Sequence, residues 1–388
     1  MLRLHPTCLV LSNSRDTELN AMSSPEPKRA IQSLVSYRPE VAALPEGRII
    51  RLSVNEGALG PSPKAQEALA SLGAELHRYP QQIDHDLVTA IAEAEGLNPG
   101  MILPSNGSDE LIGLLATAYL EEGDEAIHTQ YGFLVFPQAI RIAGGVPVVA
   151  DDDGLTVSVD NILASVTEKT RLIFVANPNN PTGTMVPRDD IERLIAQVPG
   201  HVIIVLDSAY AEYVDADDAD YTNGADLVER HDNVVMLRTF SKIYGLGALR
   251  LGWGYFPPAI LAVLASIRGP FSVNSAAATA GAAAMRDRAF IEQNLDHNKV
   301  WLPRMQESIR QAGFEALPSC VNFFLIRFSA DDEAAAAHDF MRMRGILLRG
   351  MKPYGLPDCL RMSLGTEEEM EITAAAFKDF SSQRRQAS

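Results

Sequence analysis

The sequence predicts an α/β protein with a mostly parallel central sheet in a large domain and a smaller α+β domain. Two patterns carry this prediction. From about residue 84, short apolar runs alternate with helical stretches, the pattern of parallel strands covered on both faces. Beyond Pro270 the alternation gives way to an Ala-rich helical tract and more widely spaced strands, the texture of a separate lobe. At 388 residues the chain is also longer than one core usually serves.

The elements follow in order. Residues 1–21 read as a loosely held extension, because Met22 heads a more ordinary start and the apolar stretch 8–11 is too short for a secretory signal. Residues 22–62, rich in Pro and Gly, read as an N-terminal arm that joins the small domain. The large domain is expected over 63–270. Its first helix starts at Pro63, with Ala65, Ala68, Leu69 and Leu72 on one face. Further helices are expected at 87–95, 110–120 and 189–197, and strands at 125–128, 146–149, 172–176, 202–206 and 234–237. In the small domain, 271–388, one helical tract runs from Ser275 through Asn294 and another from Asp296 to Ala312. Strands at 321–327, 345–348 and 360–363 are interspersed with helices at 333–344 and 367–380.

Charge and composition exclude several classes of function. The 33 Lys+Arg against 50 Asp+Glu give a net −17, a field that repels nucleic acid and anionic membrane. The longest apolar runs, 202–206 and 260–264, fall far short of the roughly 20 residues a membrane helix needs. Cys8, Cys320 and Cys359 form no CxxC pair, and the eight His are scattered, so neither a disulfide framework nor a metal site is expected. The acidic runs 151–153 and 215–220 read as solvated loops. These features point to a cytoplasmic protein.

Three strand ends carry the chemistry. Run 172–176 leads into Asn177-Pro178-Asn179-Asn180-Pro181-Thr182-Gly183; run 202–206 ends in Asp207-Ser208-Ala209-Tyr210; run 234–237 ends in Arg238-Thr239-Phe240-Ser241-Lys242, with Arg250 eight residues on. Each has a plain structural explanation: a turn, a helix cap, a surface lysine. Their succession at three strand ends is harder to explain by packing alone. In such sheets the ligand lies at the carboxyl ends of the strands. A lysine that captures an aldehyde, an aspartate for a pyridinium nitrogen, and clustered Ser, Thr and Arg donors are the residue types that pyridoxal-phosphate chemistry uses.

On these residues the chain resembles the fold-type-I pyridoxal-phosphate aminotransferases, and within them the histidinol-phosphate aminotransferase group. The matching segments include VNEGALGPSP (54–63), RYP (78–80), NGSDELI (106–112), NPNNPTG (177–183), LDSAYAEY (206–213), RTFSKIYGLGALRLGW (238–253), GILLR (345–349) and YGLPDCLRMSLG (354–365). The resemblance implies pyridoxal 5'-phosphate as cofactor, with Lys242 as its covalent anchor and proton shuttle. Asp207 would pair with the ring nitrogen. Asn180 and Tyr210 would bond the ring's phenolic oxygen, and Tyr131 would stack on its face; a core tyrosine is the other reading of Tyr131. Ser108, Asp109, Thr239, Ser241 and Arg250 would cradle the phosphate; a helix cap is the other reading of Ser108-Asp109. Tyr79 would reach that phosphate from the partner of a homodimer with shared active sites. Arg361 would grip the substrate carboxylate, Arg349 and Tyr37 would surround a substrate phosphate, and Asn55 would lie in the closing arm; Arg349 could also be a plain surface arginine.

The implied activity is transamination between L-glutamate and imidazole-acetol phosphate. An aromatic or broad-range aminotransferase, a pyridoxal-phosphate decarboxylase of a phosphorylated amino acid, and a non-catalytic sensor are the alternatives. The chain departs from the group at Gly57-Ala58, where a Pro-Leu-Gly-Pro run is common after the arm's Asn-Glu, and at Ser208, where Glu or Gly is common. The net acidity is expected to surround a cationic cavity built from Lys242, Arg250, Arg349 and Arg361.

Overall fold

The structure, a computed structural model, describes residues 27–32, 34, 47–80, 85–214 and 220–387. The extension 1–21, Tyr37 and most of the acidic run 215–220 lie outside them. The arm supplies β1 (Ile50–Arg51). The large sheet comprises β2 (Ile102–Ser105), β3 (Glu125–Thr129), β4 (Val146–Ala150), β5 (Thr170–Ala176), β6 (Ile203–Asp207), β7 (Val234–Thr239) and β8 (Gly252–Tyr255). Its order is β2-β8-β7-β6-β5-β3-β4, and β8 runs antiparallel to both its neighbours while the others share one direction.

Strand alternation sorts the side chains into two cores. Leu172, Phe174 and Ala176 of β5 pack on one face with apolar residues of helices Ser108–Tyr119, Val135–Ala143 and Pro258–Ile267. Ile173 and Val175 pack on the other face with helices Pro63–Ala70, His85–Glu95, Arg188–Gln197 and Ser275–Met285. Each such buried aliphatic or aromatic side chain contributes roughly 1.5–3 kcal/mol of transfer free energy. Because β5, β6 and β7 are parallel neighbours, their carboxyl ends lie along one edge.

The small lobe holds β9 (Glu315–Ala316), β10 (Phe323–Arg327), β11 (Ile346–Leu347), β12 (Arg349–Gly350) and β13 (Cys359–Ser363). Four of these form an antiparallel sheet of order β12-β13-β10-β9. Helices Arg288–Gln311, Asp331–Met343 and Glu367–Ala387 share its core. The arm joins this lobe through β1, which pairs parallel with β11.

Two expectations need correction. The Ala-rich helix Ser275–Met285 packs into the core of the large sheet, not the small lobe, so the boundary drawn at 270 comes too early. Its small residues permit close approach: a Cβ on Gly281 would sit 2.3 Å from Leu251 Cδ2. The helical tract also breaks near Arg286, not near 295. The next helix, Arg288–Gln311, then spans both bodies, with Ile291 in the first core and Trp301, Met305 and Ile309 in the second. At that break the buried Asp287 pairs with Lys64 at 3.2 Å. Among the described residues, no helix is long and apolar enough to cross a membrane.

Candidate active site

The adjoining ends of β5, β6 and β7 bring the three motif segments together. Asp207 is the last residue of β6, register-paired with Ala176 of β5 and Leu237 of β7, and it is buried. The Ala209 backbone N–H donates to its carboxylate at 3.2 Å. Burial, helped by the negative charge of Asp109, pushes the Asp207 pKa up to about 7. Lys242 lies three residues beyond β7 and donates from Nζ to the Val54 carbonyl at 3.2 Å. Its ammonium sits 5.5 Å from the centroid of the Tyr210 ring. Burial first, and then the positive charges of Arg361 and Arg250, lower its pKa to about 8. Tyr210 is buried, and desolvation of its phenolate raises its pKa to about 12, so it stays a neutral hydroxyl.

An anion cradle flanks these groups. Ser108 is the first residue of helix Ser108–Tyr119, whose N-cap is Gly107 at φ 84°, so the first-turn N–H groups have no side-chain cap. Arg250, itself in the left-handed region at φ 52°, reaches Ser241 Oγ at 3.3 Å and Asp109 Oδ2 at 3.3 Å. Thr239 Oγ1 meets Ser241 Oγ at 3.1 Å. Glycine is required around this cradle: a Cβ on Gly107 would lie 2.8 Å from Arg250 Nη2, and one on Gly252 would lie 2.4 Å from the Ser108 nitrogen. Ser108, Asp109, Thr239, Ser241 and Arg250 all line the same cavity.

From the other side come the arm and the small lobe. Arg361, buried on β13, donates to Asn180 Oδ1 and, at 2.8 Å, to the Ser53 carbonyl. Its guanidinium lies 5.2 Å from the Phe323 ring centroid. Asn55 is buried and donates to the Tyr210 hydroxyl at 2.8 Å. The departure at Gly57 has a local reason, since a Cβ there would sit 2.7 Å from the Lys242 carbonyl oxygen. Ser208 has one as well, donating to the Asn223 carbonyl at 2.8 Å.

Of the residues singled out in the sequence, Asn55, Ser108, Asp109, Asn180, Asp207, Tyr210, Thr239, Ser241, Lys242, Arg250 and Arg361 line one cavity of about 320 Å³. Others fall elsewhere. Tyr131 packs against the cluster that contains Tyr354, its backbone N–H held by Asp152 at 3.0 Å, while Tyr354 itself and Phe133 line the cavity. Arg349 lies opposite Arg361 in the β12–β13 register but lines an adjoining cavity of about 380 Å³ that shares Val54 with the first. Tyr79 is 84 % exposed and stacks on Phe271 at 5.1 Å. Nor is the cavity simply cationic: Lys242, Arg250 and Arg361 face the carboxylates of Asp109 and Asp207. Sequence reasoning missed Ser53 and Val54, whose carbonyls hold Arg361 and Lys242, and also Ser363, which lies two positions beyond Arg361 on the same strand face. That period of two was the available signal for Ser363; backbone carbonyls leave none.

Residues 47–377 match the family described as aminotransferase class I and II. The chain belongs to this family. Among aminotransferases similar to it, the histidinol-phosphate aminotransferase of Paramagnetospirillum magneticum is 46 % identical over 363 residues, covering 92 % of this chain and 99 % of the relative. That of Rhodospirillum centenum is 47 % identical over 361 residues, with the same coverage. The crystal structure of histidinol-phosphate aminotransferase from Sinorhizobium meliloti in complex with pyridoxal-5'-phosphate superposes with a TM-score of 0.85 at 26 % identity, covering 94 % of this chain and all of that one. The large, mostly parallel sheet and the smaller sheet lobe are thus the fold-type-I aminotransferase architecture.

Proposed function

We propose that the chain is a pyridoxal-phosphate-dependent transaminase that exchanges amino groups between L-histidinol phosphate and 2-oxoglutarate, a step of histidine biosynthesis. The observation that carries this reading is the convergence of Lys242, Asp207 and the Ser108–Arg250 cradle on one cavity, in a chain whose full-length relatives bear that activity in their names. The donor set fits the cofactor: an amine, a carboxylate and the residues of the cradle line one cavity, and added Cβ atoms at Gly107 and Gly252 would intrude on the cradle.

Bound there, pyridoxal phosphate would supply an aldehyde for amines and a ring that withdraws electrons from the substrate's α-carbon. The chain's own residues do the rest. Ser108 and Asp109 N–H groups, Thr239, Ser241 and Arg250 would hold the phosphate. Asp207 would pair with the ring nitrogen, whose positive charge would return its carboxyl to the ionised form. Lys242, whose lowered pKa favours the neutral amine, would anchor the cofactor through its aldehyde with loss of water, and once displaced by the substrate's amine it would carry the substrate's α-proton. Arg361 binds the substrate carboxylate in a charge-assisted fork. Arg349 and Tyr37 are assigned to the substrate phosphate, Arg349 from the neighbouring cavity beyond Val54. The exposed Tyr79–Phe271 stack, which does not line the cavity of its own subunit, is consistent with a homodimer in which Tyr79 completes the partner's cradle. A cytoplasmic location accords with this chemistry.

The test compares kcat/KM of cofactor-loaded protein for L-histidinol phosphate and L-phenylalanine, each with 2-oxoglutarate. Preference for histidinol phosphate supports the reading, and preference for phenylalanine replaces it with an aromatic aminotransferase. Release of CO₂ without a keto-acid product, or a cofactor that borohydride still fixes covalently to the chain in Lys242→Ala, would overturn it.

A further inference from the structure

Three buried groups from three parts of the chain form one hydrogen-bonded line into the cavity. Ser363 Oγ, at the end of β13, donates to Asn55 Oδ1 at 2.9 Å and accepts from the Asn55 backbone N–H at 2.9 Å. Asn55 Nδ2 donates to the Tyr210 hydroxyl at 2.8 Å. Asn55, Ser363 and Tyr210 are 1 %, 1 % and 3 % exposed, so bulk water does not compete for these bonds. Asn55 is held at φ 59°, a left-handed conformation that asparagine tolerates better than most residues, and Asn322 Nδ2 reaches its carbonyl at 3.4 Å.

Donor counting gives the line a direction. The Asn55 backbone N–H can only donate, so Ser363 Oγ accepts from it and turns its own hydrogen to Oδ1. With Oδ1 facing Ser363, the amide nitrogen faces Tyr210, whose oxygen accepts. The Tyr210 hydrogen is then available to an acceptor in the cavity that Tyr210 lines. Turning the amide over would make Ser363 accept twice, leave its hydrogen unmatched within this line, and draw the Tyr210 hydrogen away from the cavity.

We propose that Ser363 is a positioning residue that acts through Asn55 to fix the Tyr210 hydroxyl as a donor into the cavity, toward the ring oxygen of the cofactor. The proposal rests on the pyridoxal-phosphate reading above. A hydrogen bond donated to an anionic oxygen stabilises that form, so the directed hydroxyl holds down the pKa read from the bound cofactor's visible spectrum. Because the line joins arm, small lobe and large lobe, the hydroxyl is directed only while the arm is seated against both.

The test is a pH titration of the visible absorption of cofactor-loaded wild type, Ser363→Ala, Tyr210→Phe and the double variant. Ser363→Ala is expected to raise the spectroscopic pKa by about half a unit or more. Tyr210→Phe should raise it at least as far, and the double variant should match Tyr210→Phe alone. An unchanged pKa in Ser363→Ala, or a shift that adds to that of Tyr210→Phe, overturns the proposal. If Ser363→Ala does not fold, Asn55→Ala breaks the same line and the same criteria apply. A wild type with no lysine-dependent visible band would instead overturn the cofactor reading itself, and this proposal with it.

Discussion

Lys242 Nζ and the Val54 carbonyl oxygen meet at 3.2 Å, so this lysine, three residues beyond β7, is held by the arm and not by its own sheet. A neutral carbonyl leaves the ammonium without a compensating charge at its nearest contact. Burial and the Arg361 and Arg250 cations act against the charged form, while Asp109 and Glu56 act for it, and the balance sets a pKa of about 8. Capture of pyridoxal phosphate by the cofactor-free protein should therefore accelerate from about pH 6 and level off above about pH 8, not continue to the 10.5 of an ordinary lysine. Stopped-flow absorbance across that range checks it, and a rate still climbing at about pH 10 contradicts it.

Asp207 gives the cofactor-free protein a pH-dependent stability. Its folded pKa, about 7, lies above the ordinary 3.8, so the folded state binds more protons than the unfolded state between those values. Stability must then fall as pH rises through this window, by up to about 4 kcal/mol from this group. Asp207→Asn should remove that slope and raise the melting temperature of the cofactor-free protein at pH above about 7, while abolishing transamination. Thermal melts of both proteins at several pH values decide the matter.

Arg361→Lys tests the fork. A lysine keeps the charge but cannot reach Asn180 Oδ1 and the Ser53 carbonyl together while also presenting two parallel donors. The KM for L-glutamate should rise roughly 10- to 100-fold, with a smaller change in kcat. An unchanged KM would remove Arg361 from carboxylate binding.

Gly107→Ala tests the cradle. The position has φ 84°, and the new Cβ would meet Arg250 Nη2 at 2.8 Å. Displacing that guanidinium should weaken pyridoxal-phosphate binding about 10-fold or more, measured by equilibrium dialysis of the cofactor-free protein. With ψ at 156° the backbone there also strains any residue but glycine, so a thermal melt of the variant separates a general loss of stability from a defect in the cradle.

The strand ends that carry Asn180, Asp207 and Lys242 were legible because apolar β5, β6 and β7 run straight into polar, turn-forming residues. β2 and β8 were not. Pro104 in β2 and Gly252 and Gly254 in β8 lack the signature of strands. Those glycines are set by the tertiary structure: Gly252 makes room for the Ser108 nitrogen, and a Cβ on Gly254 would lie 2.4 Å from the Phe256 ring. The Ala-rich helix was assigned to the wrong core because its composition shows tight packing but not the partner. Ser363 was overlooked for a similar reason, since its use depends on Asn55, 308 residues away.

The pairing of β1 with β11 sets an order of assembly. Ile50 and Ile346 are register partners almost 300 residues apart, so the arm leaves the ribosome long before its strand partner exists. The large sheet can close first, with its lysine and aspartate already at their strand ends. Val54 and Asn55 then reach their places once the last part of the chain has supplied β11 and β13. The first-made wall of this site therefore waits longest for its partners.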